Sequence, residues 1–173
     1  LLNAVFRDGS PTGYLWLSGS DACMPPGDST TRSCARFIEV AINNDTLSAN
    51  TVSIAQDFDV AQTGFYYYYP AATFSSNGDM AAVFSGSSSS VCPGVYAVEQ
   101  FAGSPPTLST VEQVHGGAAQ YIQANRWGDY SGIGLDPADN GTIWIAAEYA
   151  STYSCAPFTC SDWGTWIANV PAP

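Results

Sequence analysis

The chain has 173 residues, of which 46% are hydrophobic, 13% aromatic and only 11% charged. That much apolar content excludes intrinsic disorder and is enough for one sizeable core or a few small repeated units. There is no lysine, the cations are Arg7, Arg32, Arg36 and Arg126, and the net charge is -11, so the cationic clusters that bind nucleic acid or anionic membranes are excluded.

No run approaches about 18 uninterrupted apolar residues, so no transmembrane helix is expected. With so few charges, the surface must consist largely of Ser, Thr, Asn, Gln and Gly. The chain opens on "LLNAVFRDGS", without Met or a leader. It reads as a mature or trimmed product, or as a piece of a longer polypeptide.

Gly, Pro and Ser interrupt the chain roughly every 8–12 residues, and the runs between them are short and β-rich, so the predicted class is all-β. The first predicted strand is GYLWLSG (13–19), followed by RFIEVAI (36–42) and TVSIAQ (51–56). Next comes the aromatic run GFYYYYP (64–70). Alternation puts Phe65, Tyr67 and Tyr69 on one face and Tyr66 and Tyr68 on the other. Tyr66 and Tyr68 are candidate ligand or partner contacts, since exposed tyrosines suit sugar stacking and subunit contact alike. The competing reading is a strand buried on both faces. Further strands are predicted at PAATFS (70–75), MAAVFSG (80–86), GVYAVEQ (94–100), STVEQVH (109–115), YSGIGLD (130–136), TIWIAAEYA (142–150) and GTWIANV (164–170).

The cysteines are Cys23, Cys34, Cys92, Cys155 and Cys160. Two pairs are close in sequence and sit in polar loops, so Cys23–Cys34 and Cys155–Cys160 are predicted disulfides that staple hairpin loops. Cys92 is left unpaired or bonded to another chain. His115 is the only histidine and there is no CxxC pair, which argues against zinc. Paired cysteines place the expected location outside the cell, secreted or at the cell surface.

An internal repeat organises the chain. Residues 69–101 align with 129–170: each has a small-residue strand, an Asx/Gly turn ("SSNGD", "DPADNG"), an apolar strand, a Ser/Cys-rich loop and a last aromatic strand. Residues 13–42 match the second half of that unit. The whole of 1–173 therefore reads as one all-β repeat domain with approximate units 1–60, 61–120 and 121–173. Such small sheets bury their faces by stacking, radially in a propeller or pairwise in a sandwich. Trp16, Phe84, Trp144 and Trp166 are expected to fill the space between sheets.

The stretches "RWGDYSGIGLDPADNGTIWIAAEYA" and "NGDMAAVFSGSSSSVCPGVYAV", with "WGTWIANV", resemble the C-terminal blades of secreted bacterial sialidase-like β-propeller proteins of the BNR type. The turn "DPADNGTIW" is similar to their Asp-box, with Asp136 and Pro137 where that motif begins on Ser. The likeness covers roughly residues 65–170 and implies a propeller of about three blades here. A ring typically needs about 4–8 blades, so it would be partial or completed by association. The expected partners are other copies of the chain or the remaining blades of a longer one.

The resemblance also implies where chemistry would sit. Sialidases grip a substrate carboxylate with three arginines and use a Tyr/Glu pair. Only Arg126 lies in the matched region, and Glu148 and Tyr149 are strand neighbours that must point to opposite faces. Asp129 and Glu148 are the best candidate carboxylate pair for glycoside hydrolysis, against a reading in which Asp129 pairs with Arg126. Asp136, Asp139 and Asn140 form a candidate calcium site, since oxygen ligands cluster there, although Asx turns need no metal. NDT (44–46) and NGT (140–142) fit the N-glycan acceptor pattern. SGSSSS (85–90) reads as a polar loop without GxSxG, and His115 has no Ser–Asp arrangement around it.

Taken together, the residues favour a secreted, non-catalytic β-repeat protein for binding or self-assembly, with no cofactor other than the candidate calcium. The alternatives are part of a sialidase-like glycosidase and a carbohydrate-binding module, with glycans as partners. Arg126, Trp127, Asp129 and Tyr130 are read as a structural motif: Trp127 anchors between sheets and Arg126 clasps Asp129.

Overall fold

The computed structural model describes residues 1–9, 11–43, 51–103, 106–121, 126–139, 141–155 and 158–171, with backbone alone at 153–155 and 158–161. Among the described residues all regular structure is strand, arranged in three antiparallel sheets. The first sheet holds β1 (Asn3–Arg7), β2 (Thr12–Cys23), β3 (Arg32–Asn43) and β4 (Thr51–Val60) in that order. The second holds β5 (Phe65–Phe74), β6 (Met80–Ser88) and β7 (Gly94–Phe101), with β8 (Thr107–Leu108) and β9 (Glu112–His115) both on the far edge of β7. The third holds β10 (Gly132–Leu135), β11 (Thr142–Cys155) and β12 (Phe158–Pro171).

Within each sheet consecutive strands pair antiparallel, except that β9 returns to β7 instead of pairing with β8. Strand β5 touches β1 on one side and β10 on the other. It also packs against β2 and β3, so its open edge faces the first sheet.

The second sheet is the middle layer. Its β6 is buried from Met80 to Gly86, on both faces. Met80, Ala82 and Phe84 join Tyr67, Phe74 and Tyr96 in a core against Trp16, Phe37 and Val60 of the first sheet. Ala81 and Val83, with Ala71 and Val95, meet Ile143, Ile145 and Ala147 of the third. Burying each large side chain contributes about 1.5–3 kcal/mol, so these two cores are the main source of stability. Strand alternation assigns the β6, β7 and β11 residues to their sides.

Two of the four residues expected between sheets are placed otherwise. Trp16 and Phe84 are buried in the first core. Trp144 points outward and is 45% exposed, because its neighbours Ile143 and Ile145 take the inward positions. Its indole N–H donates to Asp136 Oδ2 at 2.9 Å. Trp166 shares the inward side with Ala147 but sits at the rim, stacked on His115 at 3.9 Å between ring centroids.

The aromatic run and "PAATFS", predicted as separate segments, form the single strand β5. Its register with β6 shifts between Tyr68 and Ala71, and Tyr69 has φ of 55°. Pro70 has no N–H for the ladder, and an irregularity is where a strand tolerates proline. Alternation therefore fails at Tyr69: instead of sharing the core face with Phe65 and Tyr67, its ring packs edge-on against Tyr68 at 5.7 Å.

Side chains of the first sheet satisfy the other edge of β5. Ser33 Oγ donates to Tyr67 O at 2.7 Å and Ser18 Oγ to Pro70 O at 2.9 Å. The Tyr69 N–H donates to Ser20 Oγ at 3.1 Å, and the Ala72 N–H to Asn3 Oδ1 at 3.1 Å.

The Cys23–Cys34 disulfide is present and closes the β2–β3 hairpin loop. Inside that loop Asp28 pairs with Arg32 and accepts the N–H groups of Gly64 at 2.9 Å and Thr30 at 3.1 Å. The Arg32 guanidinium, then the Gly64 amide, holds the Asp28 carboxyl well below the usual carboxylate range.

Replacing Cys23 and Cys34 by Ser removes the constraint on a loop of 11 residues' separation. The expected loss is about 2–4 kcal/mol in urea unfolding. Because the fold favours ionised Asp28, its contribution is present above about pH 4 and disappears as pH falls through the lowered native value. Asp28→Asn should therefore flatten the decline in urea midpoint between about pH 5 and pH 2.

Candidate interaction surfaces

With the inner faces used for stacking, the first and third sheets each keep an outer face. Paired residues in antiparallel strands share a side. The register thus aligns Phe6, Leu15, Val40 and Ile54 in one row, with Ala4, Leu17, Ile38 and Asp57 in the next and Ile42 beside Val52 in a third. Val52 and Ile54 are 64% and 65% exposed. Gly13 leaves room for the Phe6 ring, since a Cβ there would stand 2.8 Å from Phe6 Cζ. Charge is confined to the N-terminal end of β1, where Arg36 grips Asp57 through two bonds of 2.9 and 2.8 Å and also pairs with Asp21.

On the outer face of the third sheet Trp144 stands between Gly134 and Asn169, the Ala146–Ile167 pair forms the next row, and Glu148 and Trp163 follow toward the N-terminal end of β10.

Residues 126–131 run along the seam between the second and third sheets. Trp127 is half-buried there. Its indole N–H donates to Ser85 Oγ at 3.2 Å, and its ring meets Tyr121 and Tyr68 edge-on at 5.0 and 6.5 Å. Ser85 Oγ in turn lies 3.4 Å from Glu148 O. The Gly128 N–H donates to Glu148 Oε2 at 2.9 Å, and a Cβ at Gly128 would fall 2.2 Å from that carboxyl group. The predicted Arg126–Asp129 ion pair is formed at 2.8 Å; Tyr130 beside it is exposed. Together Tyr121, Arg126, Trp127, Asp129, Glu148 and Trp163 line a cleft of about 260 Å³.

Thus Asp129 and Glu148, paired by sequence reasoning, do face one cleft, with one oxygen of Glu148 holding a backbone amide. Tyr149 lies on the opposite side of β11 and packs against His115 at 4.4 Å. Sequence reasoning missed Tyr121 and Trp163 as wall residues. The parity of β12 was the available signal for Trp163.

The other candidates are placed apart. Tyr66 lies under the Arg32 guanidinium at 4.8 Å. The Tyr68 hydroxyl reaches Ser87 Oγ at 3.3 Å, and burial raises its phenol pKa. Tyr68 is thus turned into the seam beside Trp127. The four arginines do not converge: Arg7 stacks over Tyr14 and Phe74, and the others pair with separate carboxylates.

In the β10–β11 turn, Asp136 accepts the Ala138 N–H at 2.8 Å as well as the Trp144 indole, which, as the larger cause, lowers its pKa. Asp139 accepts the N–H groups of Gly141 and Thr142 at 2.9 and 3.0 Å and the Thr142 hydroxyl at 3.1 Å. Hydrogen bonds within the turn thus already engage all four oxygens of the candidate calcium carboxylates. Asn140 lies outside the described residues, and among those described no group of three or more His, Cys, Asp or Glu is placed to hold a metal. Among the described residues Cys92 has no disulfide partner. The Cys155 and Cys160 side chains and the NDT sequon lie outside the described residues.

No protein-family model, no curated protein and no solved structure matches the chain.

Asp139→Ala removes three acceptor contacts that close the β10–β11 turn. The expected cost is roughly 1–2 kcal/mol in urea unfolding, with little change for Asp8→Ala on an exposed loop.

Proposed function

We propose that this chain is a three-blade run of a β-propeller that serves outside the cell as a non-catalytic assembly scaffold, two copies closing a ring of six sheets. The observation that carries this is the fate of the sheet faces. In the middle sheet each apolar face is covered by another meander of the same kind, while the outer faces of the first and third sheets carry apolar rows of their own.

Several features support a second copy as the occupant. The contacts of β5 with the first strands of both neighbouring sheets, β1 and β10, support a blade-like succession of sheets. Two runs of three sheets make a ring within the usual range of about 4–8 blades. A twofold pairing would seat the first sheet of each copy on the third sheet of the other. The first-sheet row Phe6–Leu15–Val40–Ile54 and, on the third sheet, Trp144 with the Ala146–Ile167 pair supply apolar contact surface for that pairing. Strand spacing gives the first-sheet face a footprint of roughly 20 Å by 20 Å, and two such contacts per dimer reach the size of a standard interface. The Asp-carboxylate bonding in the 136–144 hairpin supports the sialidase-type resemblance at the level of the turn. The separated arginines support a non-catalytic role. A disulfide is compatible with an extracellular location.

Sedimentation equilibrium is expected to give twice the chain mass for the wild type. Val52→Glu with Ile54→Glu, at two largely exposed positions, should give a folded monomer with an unchanged far-ultraviolet spectrum. A wild-type monomer, or a dimer that tolerates both charges, would overturn the ring. Hydrolysis of any member of an aryl-glycoside panel would overturn the non-catalytic reading.

A further inference from the structure

The described residues that line the cleft at the seam of the second and third sheets all belong to one chain, and Glu148 and Trp163 stand at the polar end of the third sheet's outer face, away from its apolar rows. We infer that this cleft binds neutral pyranose oligosaccharides, with Trp163 and Trp127 as stacking walls and Glu148 and Asp129 as hydroxyl acceptors.

A pyranose has an apolar C–H face and a rim of hydroxyl groups. It is recognised by an aromatic surface beside fixed acceptors. Trp163 is 52% exposed although it occupies a regular position in β12, opposite Ala150. Glu148 lies on the same outer side of the sheet, in the next row. Its carboxylate is held by the Gly128 amide at 2.9 Å and fits only because residue 128 has no side chain. The acceptor is therefore set before a ligand arrives. Trp127 is fixed by its bond to Ser85 and by Tyr121 and Tyr68, so the opposite wall is also rigid. Preorganised walls reduce the entropy lost on binding.

The volume of about 260 Å³ lies at the small end of ligand clefts. It suits one ring of a longer chain whose remainder stays in solvent. Charge decides the class of sugar. Arg126 is committed to Asp129, Glu148 leaves the cleft net negative, and the whole chain carries -11. Sugars bearing carboxylates are thus repelled, and neutral ones are favoured.

The test is a tryptophan-fluorescence titration with a panel of neutral hexasaccharides (β-1,4-glucan, β-1,4-mannan and chitin types), with sialyllactose as the anionic comparison. At least one neutral oligomer should bind saturably and sialyllactose should not. Trp163→Ala and Glu148→Gln should each weaken that binding by about tenfold or more, equivalent to about 1.4 kcal/mol. Trp144→Ala, on the same sheet face outside the cleft, should leave affinity within about twofold. Isothermal titration calorimetry repeats the comparison without relying on the removed fluorophore. Absence of saturable binding across the panel, tighter binding of sialyllactose, or equal losses for Trp144→Ala and Trp163→Ala would overturn the assignment. Glu148→Gln changes no volume, so it keeps the test meaningful if Trp163→Ala disturbs packing.

Discussion

The middle sheet must be covered on both faces, and the rest of the molecule is arranged around that requirement. Its strand β6 reads Met-Ala-Ala-Val-Phe-Ser-Gly from residue 80 and is buried throughout. A strand with two apolar faces cannot end a stack, since leaving either side wet forfeits on the order of several kcal/mol of burial. Small side chains on the third-sheet side, Ala81 and Val83, let Ile143 and Ile145 approach closely. Larger ones on the other side, Met80 and Phe84, interlock with Trp16 and Phe37. The two seams therefore differ: one is deep and aromatic, the other thin and aliphatic. The thin seam is completed at one end by Trp127, which reaches Ser85.

Some of this was legible in the chain and some was not, for physical reasons. Punctuation by Gly, Pro and Ser marked the turns, and β-branched runs marked most strands, because these are local preferences. The disulfide and the Arg126–Asp129 pair were legible because both partners are near in sequence. Parity was harder. In "TIWIAAEYA" both alternating sets contain large apolar residues, so the pattern alone did not say that Ile143 and Ile145 face the core and Trp144 faces out. Tyr69 was misassigned because alternation was carried through a proline that breaks the register. The five-residue β1 was passed over, since its identity depends on pairing with β2 rather than on its own composition. The cleft joins Tyr121, residues 126–129, Glu148 and Trp163, and only the fold brings them together.

The two hairpin turns of the repeat show how one device is varied. In the 75–79 turn, Ser75 N–H donates to Asp79 O at 2.8 Å, and Asp79 Oδ1 takes the Ala102 N–H from the neighbouring strand end. In the 136–142 turn, Asp136 N–H donates to Thr142 O at 2.8 Å, and the carboxylates close on their own loop and on Trp144. An acidic side chain closes both turns, but one bonds across to another strand and the other only within its hairpin. Acidic residues thus act as structural acceptors here, which accounts for part of a charge balance that would otherwise suggest a cation-loving surface.

The entry strand of the middle sheet carries a consequence for how the protein behaves in crowded surroundings. An open strand edge is normally a template: any extended segment of another chain can dock on its free N–H and C=O groups and begin a fibril. Here Ser18, Ser20, Ser33 and Asn3 occupy those groups on β5 with hydroxyl and amide side chains. Such a cap saturates the edge without presenting a new one, because a side chain has no ladder of its own to pass on. The most hydrophobic sheet of the molecule is in this way chemically terminated along the edge it turns toward the first sheet, and growth by strand addition stops there.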